Sequence, residues 1–358
     1  MQSIRRSTKL YEDWLAAQLR GDLVRADLRD KHRKMQKDAF AFLRATYWRW
    51  AETVLEICPE LKTAPKVLAV GDLHLENFGT WRDVEGRLIW GVNDFDEAAL
   101  MPYALDLVRL ATSTLLAHGK QGAPADAISR AILSGYRRGL EDPCAIVLDR
   151  KYRWLRKLLV ATAERRRDFW RKIEAEKPAK APPRYRKALQ ASMPKPGLVL
   201  RTARRTAGAG SLGRPRWVAL ADWNGGKVVR EAKALLPSAW HRAHPGADPR
   251  IRCGDIAAGR HRAPDPWYAV ADSIVVRRLS PNNRKIEADD PALQTVSERV
   301  LEAMGRELAA VHLGVSDRRQ AIKRHLDKRD AAAWLADCAE RMAKATRSDF
   351  KAYRGATR

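Results

Sequence analysis

Asp72 and Asn77 stand five positions apart within GDLHLENFG (residues 71–79), and a second acidic segment, NDFDE (residues 93–97), follows shortly after. An acid that can take a proton from a hydroxyl, an amide oxygen that can hold a hard cation and further carboxylates behind them are the parts of a phosphoryl-transfer site. Such chemistry needs little covalent help from protein: the catalyst positions the reactants and neutralises charge around divalent magnesium. Magnesium takes one or two carboxylate or amide oxygens together with phosphate oxygens and water. On this reading Asp72 is the general base with His74 beside it, and Asn77, Asp94 and Asp96 are the candidate Mg2+ ligands. Either segment alone is an ordinary turn or acidic loop; the order and separation of the two carry the signal.

Certain elements must hold these residues. The first segment leaves an apolar strand, and residues 88–92 (LIWGV) form a second one. Asp106, in ALDLVRLATS, opens a helix whose Leu107, Leu110 and Leu115 approximate a buried face; read from the residues alone it is a helix N-terminal cap. Phosphates also need a cover, and no glycine-rich hairpin precedes Gly71. One comes later: GAGSLG (residues 208–213), a strand, the turn Asn224-Gly225-Gly226 and another strand. A dinucleotide fingerprint of the same form would open a helix. Here Pro215 and a β-rich segment follow, as in a hairpin whose backbone amides lie over phosphates. Gly208, Gly210, Ser211 and Gly213 are therefore the candidate phosphate contacts. In VVREAK, period-two alternation sends Arg230 and Lys233 to opposite faces. Arg230, on the face of Val228, is the first candidate for the cation on the phosphates; Lys233 takes its place if the strand bulges or ends early.

GDLHLENFG, NDFDEAALMPYALDLVRLATS, GAGSLG and REAKALLPSA, in that order, resemble the bacterial domain-of-unknown-function family 2252. The resemblance implies an α+β, bilobal protein-kinase-like fold, similar to aminoglycoside phosphotransferases and circularly permuted, because the glycine loop follows the catalytic loop. It implies ATP and Mg2+ as cofactors, Asp72 as base, Asn77 and Asp94 as metal ligands, and Gly208, Gly210 and Gly213 as the phosphate loop. It also implies lysine where Arg230 stands, and there the chain departs from the pattern. The expected organisation is a helix-rich large lobe (1–174), a basic Pro/Lys linker (175–198) and a small β lobe with the glycine loop and the hinge strand SIVVRRL (199–282). C-terminal helices (283–358) complete the large lobe. One of these, residues 297–312, ends in His312, read as a satisfied helix-end histidine in preference to a site residue.

Composition bounds the rest. A chain of 358 residues is long enough for two lobes with their own cores. Cys58, Cys144, Cys253 and Cys338 are widely spaced without a CxxC pair, which argues against zinc and a disulfide framework and fits a reducing cytosol. The opening residues lack a signal-peptide core and no stretch approaches about eighteen apolar residues, so a soluble cytoplasmic protein is expected. With 68 Lys and Arg against 43 Asp and Glu, a net charge of +25 favours anionic partners such as nucleotides, phosphorylated metabolites or nucleic acid. The expected activity is ATP- and Mg2+-dependent phosphotransfer to an unidentified hydroxyl-bearing substrate. The alternatives are AMP transfer and a non-catalytic nucleotide- or nucleic-acid-binding pseudokinase module. A metallophosphoesterase, suggested by the DLH of Asp72 to His74, lacks its downstream GNH.

Overall fold

The computed structural model describes residues 2–118, 122–285, 297–330 and 332–355. Helices α1 (Ile4–Leu19), α2 (Arg25–Met35), α3 (Ala39–Ala45) and α4 (Tyr47–Ile57) open the chain, followed by strands β1 (Lys66–Ala69), β2 (Phe78–Arg82), β3 (Leu88–Val92) and β4 (Ala99–Pro102). Next come α5 (Ala104–His118), α6 (Ala125–Glu141), β5 (Ile146–Val147), α7 (Arg153–Leu159), α8 (Ala163–Glu174) and α9 (Pro183–Ala191). The later part holds β6 (Arg201–Arg204), β7 (Arg216–Trp223), β8 (Gly226–Ala234), α10 (Ala239–Ala243), α11 (Cys253–Ala257), β9 (Ala269–Ala271) and β10 (Ile274–Leu279), then α12 (Glu298–His312), α13 (Arg319–Asp327) and α14 (Ala333–Gly355). The architecture is mixed α+β with small antiparallel sheets.

Side-chain caps fix helix starts where the sequence offers them: Asp38 Oδ1 accepts the Ala41 amide at 2.7 Å at α3, and Thr162 accepts from Arg165 at α8. The helical body forms around α5, whose Leu107, Val108, Leu110 and Ala111 are fully buried; each leucine contributes about 1.5–3 kcal/mol relative to exposure. Helices α6 and α12 approach so closely that a Cβ on Gly135 would lie 1.8 Å from the Glu302 carbonyl oxygen, and one on Gly305 2.1 Å from that of Ile132. Glycine there is a packing requirement.

Strands β6-β7-β8-β10-β9 make a five-stranded antiparallel sheet, with β7 and β8 joined through Asn224 (φ 46°) and Gly225 (φ 75°), the left-handed pair a tight hairpin demands. Small sheets β1-β4 and β2-β3-β5 belong to the helical body. A bridge from Gly79 to Lys285, with Thr80 donating to the Arg284 carbonyl at 2.8 Å, lays the segment after β10 along β2.

The two faces of the large sheet differ. Trp217, Ala219, Arg230 and Ala232 lie on the face covered by α9, whose Tyr185 ring sits 6.4 Å from Trp217. On the other face, Val218 and Val229 pack on Phe169, Trp170 and Ile173 of α8, and Glu231 and Lys233 continue inward. The segment expected as a basic Pro/Lys linker, residues 175–198, contains α9. Pro183 at its first turn and Tyr185 and Leu189, four apart and buried, form a helical stripe strong enough to dock on the sheet. The basic α8 likewise buries one side.

The cysteine spacing misleads for one pair. Cys58 and Cys338 meet Glu60, with one ligand atom of each within 4.8 Å of the others. Arg341 occupies the cluster, donating to Glu60 Oε1 and, at 3.4 Å, to Cys338 Sγ. Among the described residues no helix is long and apolar enough to cross a membrane.

Candidate active site

Strand β1 ends in a turn whose geometry is set from below by one buried carboxylate. Asp106, in the first turn of α5, accepts the amides of Val70 at 2.7 Å and Gly71 at 2.9 Å, and His312 Nε2 at 3.0 Å, while His312 Nδ1 meets the Tyr136 hydroxyl at 2.8 Å. Asp106 thus braces the turn, and His312 is satisfied in the interior, away from the cleft. Two residues along, Asp72 presents Oδ1 to Arg109, whose Nη2 and Nε lie at 2.5 and 3.1 Å. Arg109 is 0 % exposed, donates also to the Leu43 carbonyl and stacks on Tyr47 and Trp50. Burial raises the Asp72 carboxyl above its ordinary range, and the Arg109 guanidinium works against that rise. His74 is buried, its ring edge-on to Phe40; burial, with Arg44 and Arg109 nearby, drives it well below the usual histidine value, so it is a neutral imidazole.

Asn77 spans the two acidic segments. Its Nδ2 donates to the carbonyls of Asp72 at 3.2 Å and Asp94 at 2.9 Å, while its Oδ1 is buried without a hydrogen-bond partner among the described residues. The Oδ1 of Asn93 is likewise buried with no partner among the described residues, beside Gly79, where a Cβ would meet Asn93 Nδ2 at 2.3 Å. Burial opposes ionisation of Asp94, yet Lys233, Lys285 and Arg277 hold it well below the usual carboxylate range. Amide and carboxylate oxygens of this kind are the hard donors that Mg2+ takes. Asp96 is engaged differently: Lys233 Nζ lies 2.6 Å from its carboxylate, and burial together with Asp94 raises it. Arg214 fastens the end of the loop by pairing with Glu97 at 2.7 Å, and Glu97 accepts the Ala239 amide just beyond β8.

That geometry decides between the two candidate cations. Lys233 faces the acids of NDFDE, 2.6 Å from Asp96 and 3.5 Å from Asp94. Arg230 points the other way, and its candidacy is corrected: its Nε donates to the Ser192 carbonyl at 2.8 Å, past the end of α9, and its guanidinium lies 4.4 Å from the Trp267 ring centroid. Alternation assigned the faces properly, but the cleft takes the charged face, where buried Glu231 is held by Arg205, Arg216 and Arg277 at 2.6 to 2.8 Å.

The glycine loop closes the arrangement between β6 and β7. Gly208 (φ 82°) and Gly213 (φ 99°) occupy the left-handed region. Gly210 lies so close to Asp72 that an added Cβ would be 3.2 Å from Asp72 Oδ2 and 3.3 Å from the Arg44 carbonyl. Ser211 Oγ accepts from Arg216 at 2.9 Å. A cavity of about 530 Å³ is lined by Asp72, His74, Asn77, Asp94, Asp96, the loop residues 208–211, Arg216, Arg277 and Lys285; Gly213, Arg230 and Lys233 are not on its lining. Segments some 130 residues apart in the chain therefore share one cleft.

Sequence reasoning missed Arg109, Asn93, Arg216 and Arg277. Arg109 left a readable trace, a lone charge inside the apolar run LVRLA; the arginines of β7 and β10 left none, because strand arginines are ordinary on exposed faces. No curated protein and no solved structure matches the chain. One family model does, over residues 23–173 and 184–356, and its description reads uncharacterized protein conserved in bacteria (DUF2252). The match takes in GDLHLENFG, NDFDE, the glycine loop and β8 together, and the chain belongs to this DUF2252 family.

Proposed function

We propose that this protein is an ATP- and Mg2+-dependent phosphotransferase acting on a hydroxyl-bearing acceptor, built on a circularly permuted, bilobal kinase-like fold. The observation that carries the reading is the one cleft in which Asp72 lies close to the glycine loop and shares a surface with Asn77, Asp94 and Asp96, the last of them paired with Lys233. Asp72 has the features of a general base: Arg109 takes Oδ1, Oδ2 lies toward the loop, and the raised pKa favours proton acceptance over a fully stabilised carboxylate. Asn77 and Asp94 would hold Mg2+, with Asn93 as a further oxygen donor. Bound there, the ion would neutralise charge on the phosphate oxygens. Lys233, Arg216 and Arg277 supply fixed positive charge from the sheet side. Neutral His74 fills the wall beside the base without adding charge.

Calorimetry with ATP, in the presence and absence of Mg2+, tests the reading on the wild type and on Asp94→Ala. Wild-type binding is expected to require Mg2+, and the variant to lose that dependence. The same metal-dependent affinity in both proteins removes the basis for the assignment.

A further inference from the structure

The glycine loop is gripped from behind by the N-terminal helices. Lys31 Nζ donates to the Gly210 carbonyl at 2.9 Å and Lys34 Nζ to the Gly208 carbonyl at 2.7 Å. The Val24 amide donates to the Gly213 carbonyl at 3.0 Å, and Thr206 Oγ1 to Asp27 at 2.9 Å. Leu15 and Leu28 close on Gly213, where a Cβ would lie 3.2 and 2.8 Å from their methyl carbons. By contrast, the amides of Gly208, Ala209, Gly210 and Ser211 have no hydrogen-bond acceptor among the described residues. The two facts are geometrically linked. In a trans peptide the N–H points opposite to the C=O, so capture of the Gly208 and Gly210 carbonyls by α2 turns the Ala209 and Ser211 amides away from α2. Those residues line the cleft, and Lys31 and Lys34 do not.

Lys31 itself is unusual. It is 1 % exposed, has no carboxylate within ion-pair distance among the described residues, and stands over the rings of Trp48 and Tyr11 at 4.7 and 5.0 Å. A lysine is almost never fully buried without an ionic partner, because desolvating the ammonium is costly. Burial accordingly lowers this one to about 7. Its hydrogen-bond acceptor is the carbonyl of Gly210, the residue packed on Asp72.

We propose that Lys31 is a positioning residue for the phosphate cover, holding the Gly210 peptide so that the loop presents its free amides to the anionic oxygens of a polyphosphate. The functional half of this assignment rests on the phosphotransferase reading; the clamp itself does not. NMR on full-length protein labelled with 15N-glycine reads the clamp without any ligand. In wild type, Gly208 and Gly210 are expected to be as ordered as Gly135 and Gly305 in the helices, with order parameters near about 0.85, and in Lys31→Met to fall below about 0.6 while the helical glycines stay fixed. Should that variant not fold, Lys34→Met, altered at an exposed position, is expected to loosen Gly208 in the same way. Unchanged loop order in the variants that fold overturns the clamp.

Calorimetry with MgATP, inorganic tripolyphosphate and adenosine reads the consequence. Lys31→Met is expected to weaken MgATP and tripolyphosphate by at least about tenfold, to leave adenosine unchanged, and to be largely rescued in Lys31→Arg. Equal losses for adenosine, or full MgATP affinity beside a loosened loop, overturn the positioning role. A wild-type chain that binds neither MgATP nor tripolyphosphate overturns the phosphate-cover reading itself, and the NMR result separates that failure from failure of the clamp.

Discussion

Replacing Arg109 by methionine isolates the electrostatic control of Asp72, the proposed base. The guanidinium makes two contacts to Asp72 Oδ1, is itself 0 % exposed, and is the main favourable charge holding the Asp72 proton off, against burial. A hydrogen bond to a charged group contributes about 1.5–3 kcal/mol. The lower part of that range applies, because the Asp72 side chain remains 18 % exposed. Losing it disfavours the carboxylate, so the acid limb of the rate profile moves to higher pH. At any pH on that limb the ionised fraction falls about tenfold to fortyfold, since about 1.36 kcal/mol is a factor of ten. The sign for stability follows. A folded-state pKa raised above that of the unfolded chain means that the native state binds the extra proton, so the variant loses stability as pH rises through the folded-state value. The assay is ATP turnover against pH, paired with carboxyl 13C chemical shifts of Asp72 and a thermal melt. Arg109→Lys keeps the charge but not the fork and should fall between. An acid limb and an Asp72 titration that both stay in place, in a folded Arg109→Met protein, refute the reasoning.

Exchanging each candidate cation for methionine separates their roles: Lys233→Met should weaken MgATP binding by about tenfold or more, whereas Arg230→Met should leave binding intact and lower the melting temperature by uncovering the Ser192 carbonyl and the Trp267 ring. Calorimetric titration and melting curves read both. Asp106→Ala leaves the buried amides of Val70 and Gly71 without acceptors. At about 1–3 kcal/mol each, that removes a large share of an ordinary domain's stability; a denaturant midpoint equal to wild type would show that the turn does not depend on the brace.

The segments that line the cleft were legible because each is local. GDLHLENFG and NDFDE each lie in one turn, and the glycine hairpin announces itself through residues needing positive φ, as Gly208, Gly213, Asn224 and Gly225 have. What the sequence could not display was which sheet face meets the cleft. Arg230 is the first candidate in the sequence because it shares a strand face with the apolar Val228. The actual cleft face is polar, stabilised by three arginines around Glu231 that come from three strands or their flanks. Long-range partnerships were equally hidden. Nothing in a basic α2 marks Lys31 as the holder of a loop 179 positions later, and nothing in widely spaced cysteines brings Cys58 to Cys338. Pairings of this kind are created by tertiary packing, which periodicity does not encode.

The most direct measurement follows the phosphate. The protein is incubated with Mg2+, an extract of small hydroxylated metabolites and ATP labelled on either its terminal or its innermost phosphorus, with Asp72→Asn run in parallel. The account predicts that only the terminal label reaches an acceptor, and that the variant, folded and still binding MgATP, transfers it slower by orders of magnitude. Transfer of the innermost label, or equal transfer by Asp72→Asn, contradicts it.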